Sequence, residues 1–330
     1  MENGKIKNLM KFKILPIAGD ASFRKFYRII INNKKKILVT SEREKYKNLI
    51  AYSAINKFLR LNKINAPKLY EHNISKGIII IQDFGDLSFN KVLSKTKNKF
   101  TIYKKLVDFL LKIQKIKPNR KVKSLNKRNH FIGKYSNKHL FKESNLFFDW
   151  YLCTFLNKEK VLNIKNRSNR ILLKLYNSLN FPNSYFCHRD YHADNLMKIG
   201  NKIGIIDSQD AIIGNPAYDL VSLIDDVRIK TSYKLKSKVY RYYLQKTFKN
   251  NINNQKKFLE DFNILSVQRS LKIIGIFSRL YIRDNKKKYL KLIPYTWKLL
   301  EMRMKAEYFL ELKKIFKDNI PEKIRKNTEL

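Results

Sequence analysis

An α+β fold in two lobes is predicted, a small antiparallel sheet followed by a large helical piece, on three observations. Short runs of β-branched and aromatic residues, separated by turn residues, crowd the chain up to Gly85. Apolar residues at helical spacing dominate from Leu87 onward. The length, 330 residues, is more than one small domain needs. The expected boundary separates an N-lobe over 1–85 from a helical C-lobe over 86–330.

Element by element, Lys13–Ile17 reads as a strand that ends in the turn Ala18-Gly19-Asp20. Arg24–Ile31 and Lys36–Thr40 read as the next two strands, joined by a polar turn at Asn32-Asn33-Lys34. Glu44–Leu61 carries Tyr46, Leu49, Ile50, Ala54, Ile55, Phe58 and Leu59 on one helical face. Leu69–His72 and Ile78–Gln82 complete five strands, and Asp83-Phe84-Gly85-Asp86 leads out of the sheet. Thr101–Ile116, Ser144–Leu156 and Arg167–Leu179 read as helices, with Asp149-Trp150-Tyr151 either core or a platform for a sugar ring. Two short strands, Tyr185–Cys187 and Ile203–Ile206, bracket the segment richest in His and Asp. Helices are expected near Ala217–Ile229, Tyr233–Phe248, Lys256–Leu280 and Lys286–Phe316.

Composition narrows the class of protein. With 44% hydrophobic and 13% aromatic residues the chain has ample apolar surface for a packed core, which excludes a disordered or fibrous protein. Cys153 and Cys187 cannot form a disulfide framework and lack metal-ligand spacing. Apolar runs such as Ile78–Ile81 are far too short to span a bilayer, so no membrane partner is expected. Met1–Leu9 lacks the apolar core of a signal peptide, and the expected location is the cytoplasm. The formal net charge of +44 invites a polyanion-binding reading. Yet Lys supplies 55 of the 71 cations, is spread along the chain, and lacks the planar fork of Arg. Asn and Ile are similarly abundant, as codon drift in an AT-rich genome would produce. No specific nucleic-acid partner is expected, although the summed field still draws anionic ligands.

The strongest motif is His188-Arg189-Asp190-Tyr191-His192-Ala193-Asp194-Asn195, with Asp207 twelve residues further on. In phosphoryl transfer one carboxylate accepts the proton of an acceptor hydroxyl, while an amide oxygen and a second carboxylate hold Mg²⁺ on the ATP phosphates. Asp190, Asn195 and Asp207 fit these parts in that order. Hard oxygen donors suit Mg²⁺. The competing readings are a polar loop between strands and a His/Asp metal site, but the latter lacks a further histidine downstream. Asp83-Phe84-Gly85 spells a metal-binding triplet of kinases, yet it precedes the His-Arg-Asp segment and belongs to the turn out of the sheet.

With these residues in view, the chain resembles the aminoglycoside phosphotransferase/choline kinase branch of the protein-kinase-like fold. Within that branch it is similar to the bacterial N-acetylmuramate/N-acetylglucosamine kinases. Four blocks carry the resemblance: Ile17–Arg24, Cys187–Met197, Ile206–Leu220, and Gln268-Arg269 through Arg279 to Arg283-Asp284. The resemblance implies a bilobal kinase fold and an ATP- and Mg²⁺-dependent sugar kinase, a monomer in peptidoglycan recycling, acting on the anomeric hydroxyl of an amino sugar. It implies Asp190 as catalytic base and Asn195 with Asp207 as metal ligands. It also implies Gly19, Asp20, Ala21, Ser22 and Phe23 as the turn over the phosphates, and Gln82, Asp83 and Phe84 as the hinge meeting the adenine. Asp210, Arg279 and Arg283 are candidates for the sugar, the two arginines for a lactyl carboxylate. Asp219, ahead of an apolar helical run, is expected to brace the catalytic loop. The chain departs from protein kinases in having no lysine at the end of its third strand, Ile37-Leu38-Val39-Thr40-Ser41, and in placing His192 where they carry a lysine. The alternatives are a kinase for choline, an aminoglycoside or homoserine, or a basic nucleic-acid-associated protein with a degenerate kinase core.

Overall fold

The computed structural model describes residues 12–17, 24–31, 33–42, 47–124 and 129–326. The proposed phosphate turn, Gly19 to Phe23, lies outside the described residues. The strands are β1 (Phe12–Ile17), β2 (Lys25–Ile31), β3 (Lys34–Thr40), β4 (Leu69–Asn73), β5 (Ile78–Gln82), β6 (Lys121–Lys123), β7 (Asn129–Phe131), β8 (Tyr185–Cys187), β9 (Leu196–Ile199), β10 (Lys202–Ile205) and β11 (Ile212–Gly214). The helices are α1 (Lys47–Leu61), α2 (Phe89–Lys95), α3 (Lys99–Gln114), α4 (Asn137–Leu146), α5 (Lys158–Asn177), α6 (Ala217–Ile224), α7 (Tyr233–Phe248), α8 (Ile252–Asp284), α9 (Ile293–Arg303), α10 (Leu310–Asn319) and α11 (Glu322–Arg325). The fold class is the α+β arrangement expected.

The chain divides into two compact units, and the first is discontinuous in sequence: Met1–Lys91, Lys121–Phe131 and Asp194–Asp210. Its core is a five-stranded antiparallel sheet in the order β1-β2-β3-β5-β4. Alternation along β3 and β5 turns Ile37, Val39, Ile79 and Ile81 to one face, where Leu49 and Tyr52 of α1 cover them. The β9–β10 hairpin pairs Leu196 with Ile205. It joins this unit through Lys198 N–H to Leu87 C=O at 2.8 Å and Ile205 N–H to Asn65 C=O at 2.8 Å.

The second unit comprises Val92–Arg120, Ile132–Ala193 and Ala211–Leu330 and is mainly helical. Its spine is α8, 33 residues long, started by the Asn251 side chain accepting from Asn254 N–H and ended by Asn285 in the left-handed region at φ 52°. Gly275 lets α8 meet the end of α4, because a Cβ there would stand 2.3 Å from the Leu146 carbonyl carbon. Tyr151 is core: it is fully buried, donates to Ile324 C=O at 2.6 Å, and accepts from the Trp297 indole at 3.0 Å.

Several boundaries differ from expectation. Helix α5 begins nine residues earlier than Arg167, capped by the Asn157 side chain on Lys160 N–H. The helix expected to start at Ser144 is the tail of α4 running into a wider π-helical turn at Phe147–Tyr151. The helix expected over Lys286–Phe316 is broken into a 3₁₀ segment (Lys287–Leu292), α9, a short turn and α10. Pro294, in the first turn of α9, has no N–H to continue a preceding helix. Among the described residues no helix is long and apolar enough to cross a membrane.

Candidate active site

In the first unit the β9–β10 hairpin aligns two of the predicted residues. Asn195 and Ile206 continue the pairing beyond Leu196 and Ile205, with Ile206 N–H donating to Asn195 C=O at 3.0 Å. Asp207, the next residue, sits in the left-handed region at φ 65°, a conformation that a short polar side chain tolerates and that turns the chain into the 3₁₀ segment Ser208–Asp210. Arg24 backs its carboxylate: Nη2 donates to Asp207 Oδ1 at 2.5 Å and Nη1 to Gln209 Oε1 at 2.9 Å. The Arg24 side chain is 4% exposed and the Asp207 side chain 36%. The guanidinium also lies 5.4 Å from the Phe26 ring centre and 5.6 Å from that of Tyr52. Helix α1 closes the arrangement with Asn56, whose Oδ1 accepts from Ser208 Oγ at 2.6 Å. Burial pushes the Tyr52 phenol up to about 12, against the pull of its hydrogen bond to Asn56 and of Arg24, so it stays neutral.

Asn195 and Asp207 supply the kind of oxygen that Mg²⁺ accepts. Among the described residues no three His, Cys, Asp or Glu side chains cluster to hold a metal unaided. That donor set fits Mg²⁺, which takes one or two protein groups and fills its shell from phosphates and water.

The expected hinge is tied down in the same unit. Gln82 ends β5, and its N–H donates to Lys68 C=O at 2.8 Å. Arg28 of β2 grips Asp83 through Nε at 2.5 Å and Nη2 at 3.1 Å, and both its amino groups reach Asp86 at 2.9 Å. Those hydrogen bonds raise the Arg28 pKa, so the cation is permanent. The Phe84 ring lies over Gly204 of β10, where a Cβ would stand 2.7 Å from Phe84 Cε2.

The second unit holds Asp190. It follows β8 and Arg189, which is also left-handed at φ 71°. Asp219, buried in the first turn of α6, accepts from His188 N–H at 2.6 Å and Arg189 N–H at 2.9 Å, the bracing role expected of it. Tyr191 anchors the other side through its hydroxyl to Leu106 C=O at 2.8 Å. From α8, Arg269 donates to Arg189 C=O at 2.8 Å and to Asp190 Oδ1 at 3.3 Å. Burial by itself would raise the Asp190 pKa, but Arg269, Lys272 and Arg189 together hold it well below the usual carboxylate range. His192 is held neutral, its pKa pushed well down by burial and by the Arg228 charge.

Beside Asp190 lies a charged cluster that sequence reasoning missed. Glu143 of α4 receives Arg189, Tyr135, Lys272 at 3.2 Å and Gln268 at 3.2 Å. Its burial favours the neutral acid, yet Lys272, Arg189 and the Tyr135 and Gln268 hydrogen bonds bring its pKa down to about 2. Lys272 also reaches the Tyr218 hydroxyl at 3.4 Å. Arg269 lies in the Gln268–Asp284 segment that carries the resemblance, but nothing local marks Glu143.

The three sugar candidates are divided between the units. Asp210 is exposed in the first unit and accepts from Gln209 Nε2 at 2.9 Å. Arg279 and Arg283 are further along α8 than Arg269, by about 15 and 21 Å at 1.5 Å per residue. Arg283 is spent on its neighbour Asp284, at 2.7 Å and 2.9 Å.

The chain is 26% identical over 290 residues to an N-acetylmuramate/N-acetylglucosamine kinase of Neisseria meningitidis serogroup B, covering 86% of this chain and 83% of that one. Its fold is similar to that of an ADP-bound aminoglycoside phosphotransferase, APH(2'')-Ib, with a TM-score of 0.59 at 15% identity, over 92% of this chain and 95% of that one. It is similar also to choline kinase LicA from Streptococcus pneumoniae, with a TM-score of 0.60 at 14% identity, over 92% and 97% of the two chains. Residues 13–248, from β1 through the Asp190 and Asp207 segments to the end of α7, match the family description in one continuous stretch, and the chain belongs to the phosphotransferase enzyme family.

Proposed function

We propose that this chain is an ATP- and Mg²⁺-dependent sugar kinase that phosphorylates the anomeric hydroxyl of N-acetylmuramate or N-acetylglucosamine, in the cytoplasm and in the recycling of cell-wall sugars. The observation that carries the reading is Asp190, on a loop braced by Asp219, 40% exposed and kept ionised by Arg269. The names of the relatives at 26% identity supply the acceptor class.

In this reading Asp190 orients the acceptor hydroxyl and receives its proton as the hydroxyl oxygen bonds to the γ-phosphorus and ADP leaves. A carboxylate held this acidic is a weak base, so its contribution is alignment, with proton transfer late. An anomeric hydroxyl, more acidic than an ordinary alcohol, suits such a base. Asn195 and Asp207 would hold Mg²⁺, which when bound spreads the charge of the phosphates. Gln82 to Phe84 would meet the adenine, and Gly19 to Phe23 would cover the phosphates. For the acceptor, the cationic pair Arg269 and Lys272 is nearer to Asp190 along α8 than Arg279 and Arg283 are.

The test is ADP release with Mg²⁺-ATP across N-acetylmuramate, N-acetylglucosamine, glucosamine, choline, homoserine and kanamycin, with Asp190→Asn alongside. Turnover confined to the N-acetylated sugars, a 1-phosphate product, and a loss of about a thousandfold or more in Asp190→Asn are expected. Turnover on choline or kanamycin instead would keep the family and overturn the acceptor.

A further inference from the structure

The third strand supplies no cation toward the nucleotide. Among its lysines, Lys34 and Lys35 are exposed, while Lys36 reaches across to β4, 3.4 Å from Glu71 and 5.0 Å from the centre of the Tyr70 ring. From Ile37 to Thr40 the strand carries no charge. Among the described residues of the first unit, Arg24 is the buried cation, and it stands behind Asp207 rather than on β3.

The construction of that pair is informative. Burying a guanidinium is costly, and a buried ion pair stabilises a fold little better than a well-packed apolar pair would. Here the cation is enclosed by the Phe26 and Tyr52 rings and fixed by Gln209, while the carboxylate it holds stays partly open. The arrangement places a permanent positive charge behind an accessible anion, and the planar fork keeps that charge oriented. Arg24 also follows directly on Phe23, the last residue of the turn proposed to cover the phosphates.

We propose that Arg24 is the phosphate-binding cation of this chain: it takes over the charge that β3 lacks, holding Asp207 with Nη2 and exchanging the bond from Nη1 to Gln209 for one to the phosphates of the nucleotide. The inference rests on the kinase reading above. It assigns Arg24 a direct contact with the nucleotide, beyond positioning Asp207, and the two roles separate experimentally.

Titration calorimetry with ADP, in EDTA and in excess Mg²⁺, is the measurement, applied to the wild-type chain, Arg24→Met and Arg24→Lys. A lost charged hydrogen bond corresponds to about a ten- to hundredfold weaker affinity for Arg24→Met, expected in both media. Arg24→Lys retains the charge without the fork and falls between the two; it also serves as the variant that folds if Arg24→Met leaves Asp207 too poorly compensated. A loss seen only with Mg²⁺ would reduce Arg24 to a positioning residue for Asp207 and overturn the proposal. Unchanged affinity in both media would overturn it too. A wild-type chain that binds no ADP in either medium would instead remove the kinase reading on which it rests.

Discussion

The Arg269 guanidinium joins the Asp190 carboxylate, at 3.3 Å, to the carbonyl of the residue before it, Arg189, at 2.8 Å. One side chain from α8 thereby fixes both the charge and the direction of the Asp190 loop. The bond to the carbonyl adds to the ion pair: the left-handed Arg189 has its C=O turned toward α8, where it accepts from Arg269 at 2.8 Å and from the Ser222 hydroxyl at 3.3 Å.

Arg269→Met is therefore expected to lower kcat by about ten- to a hundredfold. It is also expected to shift the acid limb of the kcat/KM profile. Asp190 titrates below its ordinary range because cations outweigh burial, so the wild-type carboxylate persists as the pH falls. Without Arg269 the carboxylate loses the cation that lowers its pKa most, and the limb moves to higher pH. A variant that merely loosened the fold would melt earlier and leave the limb where it was, which is the outcome that separates the two roles.

Glu143 sits at the centre of the cluster beside that loop. Its folded pKa of about 2 is below the ordinary value of 4.5, so its contribution to stability is fully present above about pH 4.5 and is lost as the pH falls toward 2. Glu143→Gln keeps the shape but leaves Arg189 and Lys272 facing a neutral amide, at a cost of about 3–5 kcal/mol. Thermal unfolding followed by circular dichroism is expected to show a Tm lower by roughly 5–10 °C near neutral pH. The gap between variant and wild type should narrow below about pH 4.5, as the unfolded chain takes up the proton that the folded Glu143 resists, and close toward pH 2, where the folded carboxyl itself becomes neutral. A constant gap down to pH 2 would show that the cost is steric rather than ionic.

The legible parts of this molecule are those written in neighbouring residues. The alternation of Ile78–Gln82 and the face of α1 were readable because period and burial coincide. The run from His188 to Asn195 was readable because one loop carries several functional groups in fixed order. The start of α5 was missed because Val161 and Ile164 are sparse among Lys and Asn, which suit a solvated helix face and a loop equally. Strands β6, β7, β9 and β11 are three or four residues long, too short for alternation to register. The partners of Arg24 and Glu143 were invisible for another reason. Arg24 finds Asp207 183 residues away and Glu143 finds Gln268 125 residues away, and among 71 cations nothing local distinguishes the few that are buried.

Gly204 gives a test of whether the hinge and the Asp207 hairpin are mechanically linked. Its missing side chain makes room for the Phe84 ring and for Ile199, since a Cβ would stand 2.7 Å from one and 2.6 Å from the other. Ile199 can yield through its flexible end, but the ring fills the space and must shift, drawing the Gln82–Phe84 segment with it. Gly204→Ala should cost about 1–3 kcal/mol in stability by overpacking. It should also weaken ADP binding, measured by calorimetry at a temperature where the variant is folded. Phe84→Leu in the same chain removes the ring edge that clashes, so the double variant should recover stability relative to Gly204→Ala, a favourable coupling between the two positions. If the double variant is destabilised by the sum of the single effects, Phe84 does not bear on Gly204 in solution. The hinge would then move independently of the hairpin that carries Asn195 and Asp207.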